Sequence, residues 1–212
     1  MRTLKPVAGL GILGLVLGAS ASCGDAVRQG RAPVYLVIDS LQGANGSKSS
    51  PTFVSAVLSD VVANLTTPPP CSTDAPCPTV FDDPGQVVLH SNLKNLGTVT
   101  TPTVPTPYNE VTIYRVHVEY VRADGHNVPG VDVPYPWDGA ATGTVPQSGQ
   151  ITLGFELVPH TAKLQSPLYQ MRGTSIILTT IANVTFYGKD QAGNDVTVTG
   201  SIQVNFGNFG DS

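Results

Sequence analysis

Oxygen-bearing side chains crowd one short segment near the C-terminus, where Asp190, Asn194 and Asp195 lie within six residues. Carboxylate and amide oxygens are the ligands that Ca²⁺ prefers, so this segment is a candidate calcium site. Asp82 and Asp83 form a second acidic candidate. Ca²⁺ takes roughly six to eight oxygen ligands, and Asp, Asn and Gly are also the residues that a tight hairpin turn requires. The turn explains the segment better, and we predict no metal and no cofactor.

The only tryptophan, Trp137, lies two residues after Tyr135 in a segment that also contains Pro134 and Pro136. Proline cannot donate a hydrogen bond to a neighbouring strand, so this segment is an edge strand or a loop. An exposed aromatic pair at such a place could stack on a glycan or contact a partner protein. The competing interpretation is that the two rings cover one end of the hydrophobic core.

Catalytic motifs are missing from the sequence. It contains no Gly-x-Ser-x-Gly, no His-Glu-x-x-His and no phosphate-binding glycine loop. The four histidines, His90, His117, His126 and His160, are scattered along the chain. We therefore predict that the chain is not an enzyme. A Ser, His and Asp site could still assemble in space, because catalytic triads do not follow a fixed sequence order. A hydrolase thus remains one alternative.

Two cysteines enclose a short loop, with five residues between Cys71 and Cys77. Such a loop can close as a disulfide in an oxidising compartment. A structural zinc site needs about four ligands, and no histidine nearby completes a set with these two cysteines. We predict a disulfide that holds a surface loop.

The N-terminus has the pattern of an export signal. Arg2 and Lys5 precede an apolar run over residues 7–17, and small residues lead to Cys23. The run is shorter than the roughly 20 residues of a membrane-spanning helix. This pattern resembles a bacterial lipoprotein signal, in which the cysteine is acylated and becomes the mature N-terminus. The resemblance implies a signal peptide over residues 1–22, a lipid on Cys23 and the membrane as a partner.

Two neighbours of the cysteine bear on where the protein is located. Ser20 stands where lipoprotein signals usually have Leu, and residues 19–21 also fit an ordinary secretory cleavage site. If Cys23 is not acylated, the protein is secreted or periplasmic. Gly24 stands where an Asp would favour retention in the inner membrane, so the resemblance implies an outer-membrane lipoprotein.

The charge balance excludes some partners. Without residues 1–22 the chain has nine basic and 15 acidic residues, a net charge of −6. A mildly acidic chain without a basic patch is not typical of nucleic-acid binding, nor of electrostatic docking on anionic lipid. Only 12% of the residues are charged, about half of the usual share.

The hydrophobic pattern has a period of two, which is typical of half-buried antiparallel strands. It is clearest at residues 196–206, where Val, Ile and Phe alternate with Thr, Ser, Gln and Asn. Residues 51–65 could form either a strand or a short helix. We predict further strands at residues 33–41, 86–93, 111–122, 151–158 and 182–186.

Residues 184–198 resemble the last two strands of bacterial immunoglobulin-like and fibronectin-III-like domains. An aromatic-rich strand enters the turn Asp190-Gln191-Ala192-Gly193-Asn194, and a Val/Thr strand follows. The resemblance implies an all-β fold, an immunoglobulin-like antiparallel β-sandwich, here with long Pro/Thr-rich loops. We predict a polar tether over residues 23–32, a single elaborated sandwich over 33–207 and a tail over 208–212.

Together these observations predict a lipid-anchored protein of the cell envelope with a non-catalytic binding or scaffolding role. Its expected partner is an envelope protein or a glycan. One alternative is a carbohydrate-binding or adhesion module that uses Tyr135 and Trp137. The other is the hydrolase with a site that is not visible as a sequence motif.

Overall fold

A computed structural model of the chain describes residues 30–48 and 50–209. The expected signal peptide, Cys23 and most of the expected tether lie outside these residues, as do the last three residues of the tail. Within the described ranges, no helix is both long enough and apolar enough to cross a membrane.

Strands dominate the described residues. A single turn of α-helix, α1, covers His160–Lys163, and 3₁₀ turns cover Pro107–Asn109 and Leu168–Met171. The strands are β1 Val34–Gly43, β2 Ala56–Asp60, β3 Ala63–Leu65, β4 Cys77–Thr79, β5 Asp83–Leu93, β6 Val111–Val121, β7 Trp137–Gly139, β8 Gly143–Val145, β9 Gln150–Val158, β10 Leu178–Asp190 and β11 Asp195–Gly207.

The strands form two main sheets that share one core. The first sheet is antiparallel and has the order β1-β5-β9. The second has the order β2-β11-β10-β6-β7, with β8 also paired to β6. Its pairs are antiparallel except for β2, which runs parallel to β11. A small β3–β4 hairpin stands apart. The predicted all-β sandwich is confirmed.

The core lies between the inner faces of the two sheets, and aromatic rings bridge it. Phe155 from the first sheet meets Phe186 from the second edge-to-face, with ring centroids 5.2 Å apart. Each ring sits on the buried side of an alternating strand. Where β1 crosses β11, Ile38 lies so close to Gly200 that an added Cβ would be 2.7 Å from its side chain. Glycine therefore sets the sheet separation there.

Residues 51–65, for which helix and strand were both open, form the two short strands β2 and β3. Val57 and Val61, whose spacing of four residues would also fit one face of a helix, are both fully buried. A spacing of four is also an even number, so it returns to the same face of a strand. The β-branched valines favour the strand, and pairing of Val57 with Val204 on β11 fixes it.

The sandwich has two distinct ends. The chain enters β1 at Val34, which pairs with Leu93, and the β10–β11 turn lies at the same end. We call this the entry end. At the other end β1 finishes at Gly43, close to Pro84 on β5, and Gly207 on β11 pairs with Asp60. We call this the far end. β1 has ten residues, so about 30 Å separates the two ends.

Truncating the core ring at the centre of the sandwich tests this packing. We expect Phe186→Ala to lower the free energy of unfolding by about 3–5 kcal/mol, because it removes a fully buried ring and leaves a cavity. Ile181 is 39% exposed on the same strand, and Ile181→Ala should cost less than about 1 kcal/mol. Urea unfolding monitored by tryptophan fluorescence measures both changes. Equal losses in the two variants would contradict the packing described.

Candidate functional site

A buried ion pair organises the far end of the sandwich. Lys163 Nζ lies 2.9 Å from Asp83 Oδ2, and both side chains are almost completely buried. The backbone N–H of Gly46 also donates to Asp83, at 2.9 Å. Burial raises the pKa of Asp83, while the positive charge of Lys163 and these hydrogen bonds oppose the rise. The pair ties α1 to the first residue of β5 and to the loop that follows β1.

A second buried carboxylate, Asp60, joins three segments at this end. Asp60 Oδ2 accepts hydrogen bonds from Asn45 Nδ2 at 2.8 Å and from Ser47 Oγ at 3.2 Å. Asp60 Oδ1 accepts from the backbone N–H of Phe209 at 2.9 Å. Buried carboxylates stay in place when such donors satisfy their oxygens. The β1–β2 loop, the end of β2 and the segment after β11 are therefore held together.

Asp82, Glu156 and His160 lie above these buried contacts, and we call them the far-end cluster. Their carboxylate oxygens and imidazole nitrogen all lie within 4.8 Å of one another. Asp82 Oδ1 is 2.7 Å from His160 Nδ1 and also accepts the backbone N–H of His160. The side chains of Asp82 and His160 are about half exposed, and Glu156 is half-buried. The cluster is open to solvent.

Local geometry explains how these residues meet. Glu156 pairs across the sheet with Pro84, and the register shifts between Pro84 and Asp83. Asp83 points into the core, so the preceding Asp82 lies outside it. Pro159 precedes the first residue of α1, His160, and the helix turns the chain back over the start of β5. The Asp83–Lys163 pair then holds His160 beside Asp82.

Electrostatics separate the two carboxyl groups of the cluster. Partial burial, together with the hydrogen bond to Asp82 and its negative charge, raises the pKa of Glu156 to about 7. Burial also acts to raise the pKa of Asp82, but hydrogen bonds from His160 and Glu156 outweigh it and lower that pKa. Below about pH 7, therefore, Glu156 holds a proton that Asp82 accepts in a hydrogen bond.

A shallow groove of about 430 Å³ adjoins the cluster. Two carboxyls and an imidazole can exchange protons, accept hydrogen bonds from a bound ligand, or act as a donor set for a divalent metal. The groove is lined by Gly46, Pro51, Asp82, Pro84, Phe155 and Glu156.

The two predicted aromatic residues take different positions. Trp137 packs against the core from β7, where it pairs with Val118, and its indole nitrogen is buried. Tyr135 is 53% exposed, and its ring lies across Gly130. Trp137 thus covers the core, which leaves Tyr135 as the exposed ring of the pair.

The candidate calcium ligands serve the β10–β11 turn. Asp190 is buried, and its carboxylate accepts the backbone N–H groups of Ala192 and Asn194 and the side-chain amide of Asn194. Asp195 pairs with Lys189. These oxygens are therefore engaged within the hairpin.

The predicted disulfide between Cys71 and Cys77 is confirmed. Cys77 opens β4 and pairs with Leu65 on β3, so the bond holds the loop of residues 66–76 against the small hairpin. The loop is almost entirely exposed.

Another histidine, His90, lines a groove of about 530 Å³ toward the entry end. Its Nδ1 is 2.8 Å from Asp39 Oδ2, and its Nε2 is 3.1 Å from Asn92 Nδ2. The neighbouring Ser91 hydroxyl donates to the backbone carbonyl of Pro146. This arrangement differs from a triad, in which the second ring nitrogen faces a serine nucleophile.

In the sequence, Asp82 belongs to an acidic pair with Asp83, and His160 is an isolated histidine. The structure instead separates the two aspartates and joins Asp82 to His160, which is 78 residues away. Glu156 was not singled out, because in the sequence it is simply an outward residue of an alternating strand.

Comparison of the chain with protein-family models, with curated proteins and with solved structures found no match.

Removing one charge of the buried pair should destabilise the fold. We expect Lys163→Met to cost about 3–5 kcal/mol, because it leaves the buried Asp83 carboxyl without its partner. Asp83→Asn combined with Lys163→Met should recover most of that loss, since the amide oxygen still accepts from Gly46. Lys189→Met, in an exposed ion pair, should cost less than about 1 kcal/mol. Urea denaturation measures all three; a Lys163→Met loss no larger than that of Lys189→Met would disprove the role of the pair.

The raised pKa of Glu156 predicts a pH dependence. Folding raises this pKa from its ordinary 4.5 to about 7, so the folded state binds the proton more tightly. The stability from this group is fully present below pH 4.5 and is lost as the pH rises through about 7. Carboxyl-carbon NMR should show Glu156 titrating near pH 7, and Asp82→Asn should lower that midpoint. A Glu156 midpoint near 4.5 in the unmodified protein would refute the coupling.

Proposed function

We propose that this chain is a lipid-anchored, non-catalytic binding domain of the bacterial cell envelope. The observation that carries the proposal is the position of the far-end cluster and its groove relative to the point where the chain enters the sandwich. Cys23 precedes Val34 at the entry end, while the far-end cluster lies about one strand length away. A lipid on Cys23 would therefore leave the groove facing away from the membrane.

The strand order supports an immunoglobulin-like form of the sandwich. Six strands are long. In chain order, the first, second and fourth of them (β1, β5 and β9) share one sheet, and the third, fifth and sixth (β6, β10 and β11) share the other. Strands A, B and E and strands C, F and G of immunoglobulin domains divide in the same way. Such domains display binding surfaces at their ends and host many functions.

The far-end groove is the surface that best suits a partner. Asp82 and Glu156 supply hydrogen-bond acceptors there, and the exposed Pro51 supplies apolar contact. A hydroxyl-rich glycan or a peptide segment with N–H donors fits this chemistry. The groove is a better candidate binding site than the pair Tyr135 and Trp137, because Trp137 is packed against the core.

Lipid attachment is tested by metabolic labelling. Cells producing the protein with a C-terminal tag should incorporate labelled palmitate into it, and Cys23→Ser should abolish the label, since the thiol is the acylated group. The tagged Cys23→Ser variant should also move from the membrane fraction to the soluble fraction. Cys71→Ser combined with Cys77→Ser removes the other two cysteines and should leave the label in place. Labelling that persists in Cys23→Ser would contradict the proposal.

A further inference from the structure

The β5–β6 loop, residues 94–110, exposes apolar side chains to solvent. Residues 95–109 include no charged residue, although acidic and basic side chains make up 12% of the chain. Four large apolar side chains in this stretch are at least 70% exposed: Leu96, Val99, Val104 and Tyr108. A run of this length that is both uncharged and apolar at its surface is suited to a non-aqueous contact.

The backbone of this loop is already organised. Thr98 and Thr101 exchange two backbone hydrogen bonds, and the N–H of Thr103 donates to the carbonyl of Leu96. At the other end of the loop, the amide oxygen of Asn109 accepts from the backbone and the hydroxyl of Thr106. These bonds satisfy polar groups that are costly to move out of water. Three prolines, Pro102, Pro105 and Pro107, have no N–H to satisfy.

The loop lies at the end of the sandwich where the chain comes in from Cys23. It leaves β5 at Leu93, which pairs with Val34, and joins β6 at Val111, next to the β10–β11 turn. Residues 24–33 separate Cys23 from Val34, and ten residues span at most about 35 Å. A lipid on Cys23 would thus keep the loop within reach of the bilayer surface.

We propose that the β5–β6 loop inserts Leu96, Val99, Val104 and Tyr108 into the interfacial region of the membrane that holds the lipid of Cys23. The inference rests on the proposed anchoring. The acyl chains supply attachment, and the loop supplies a second contact that fixes the orientation of the sandwich. The far-end cluster then points away from the membrane.

The loop would bind the membrane through apolar contact and not through electrostatic attraction. The mature chain has a net charge of −6, so attraction to anionic headgroups does not contribute. The far end also exposes apolar residues, Ile176 and Ile177, but Arg172 and His160 belong to the same connection between β9 and β10. The uncharged stretch of residues 95–109 is the part of the surface that a bilayer interface accommodates.

Vesicle flotation tests the contact without the lipid anchor. The full mature chain with Cys23→Ser, which cannot be acylated at that position, is mixed with phosphatidylcholine vesicles at low and at high salt. We expect it to float with the vesicles to the same extent at both salt concentrations. Adding Leu96→Ser and Val99→Ser should lower the bound fraction roughly tenfold, because two aliphatic side chains no longer leave water. Circular dichroism confirms that each variant is folded.

A matched control removes two aliphatic side chains that are also more than half exposed, at the opposite end. Ile176→Ser with Ile177→Ser should leave vesicle binding unchanged. Equal losses in the two double variants, or binding that disappears at high salt, would overturn the proposal. Sedimentation without vesicles gives a further test. If the chain with an unmodified loop self-associates and Leu96→Ser with Val99→Ser abolishes this, the loop binds a second copy of the chain and the proposal is overturned.

Vesicle flotation tests the membrane contact of the loop, and palmitate labelling tests the lipid on Cys23, so either result can be negative without the other. Absence of label on Cys23 would remove the anchor but not the flotation result. A loop variant that floats as well as the parent would remove the membrane contact and leave the anchoring intact.

Discussion

Asp83 and Lys163 place two opposite charges 2.9 Å apart where water does not reach. Taking such groups out of water is costly, and the cost is offset only when each finds its partner in good geometry. The pair therefore constrains α1 to one position over the start of β5. That position brings His160 to Asp82, with Glu156 beside them, so the geometry of the exposed cluster depends on the buried pair beneath it.

The same fold produces two ends of different character. At the far end, hydrogen bonds to Asp60 and the buried Asp83–Lys163 ion pair hold the chain segments together, and the cluster above them is polar and titratable. At the entry end, residues 95–109 of the β5–β6 loop carry no charge and expose four large apolar side chains. Antiparallel strands of about ten residues keep these ends roughly 30 Å apart, so a membrane contact at one end leaves the other free for a partner.

The candidate site shows where sequence reasoning succeeds and where it stops. A turn was the stronger explanation for Asp190 and its neighbours, since Asp, Gly and Asn satisfy a local requirement of the hairpin, and the structure finds them bonded within it. The far-end cluster has no such local signature. Asp82 and His160 are 78 residues apart, and only the β5–β9 pairing with the helix that follows brings them together.

The amino-acid sequence by itself determined the six long strands and therefore the all-β class, because alternation of apolar and polar residues acts over a few neighbours. It also determined the disulfide, since five intervening residues keep two cysteines close.

Tertiary structure decided which side chains are exposed to solvent and available to a partner. Trp137 and Tyr135 share one parity, yet packing of β7 against β6 buries part of one ring and leaves the other in solvent. Asp82 and Asp83 are adjacent, yet the edge of the sheet sends one into the core and the other outward. Burial and long-range pairing depend on contacts between distant segments, which no local pattern specifies.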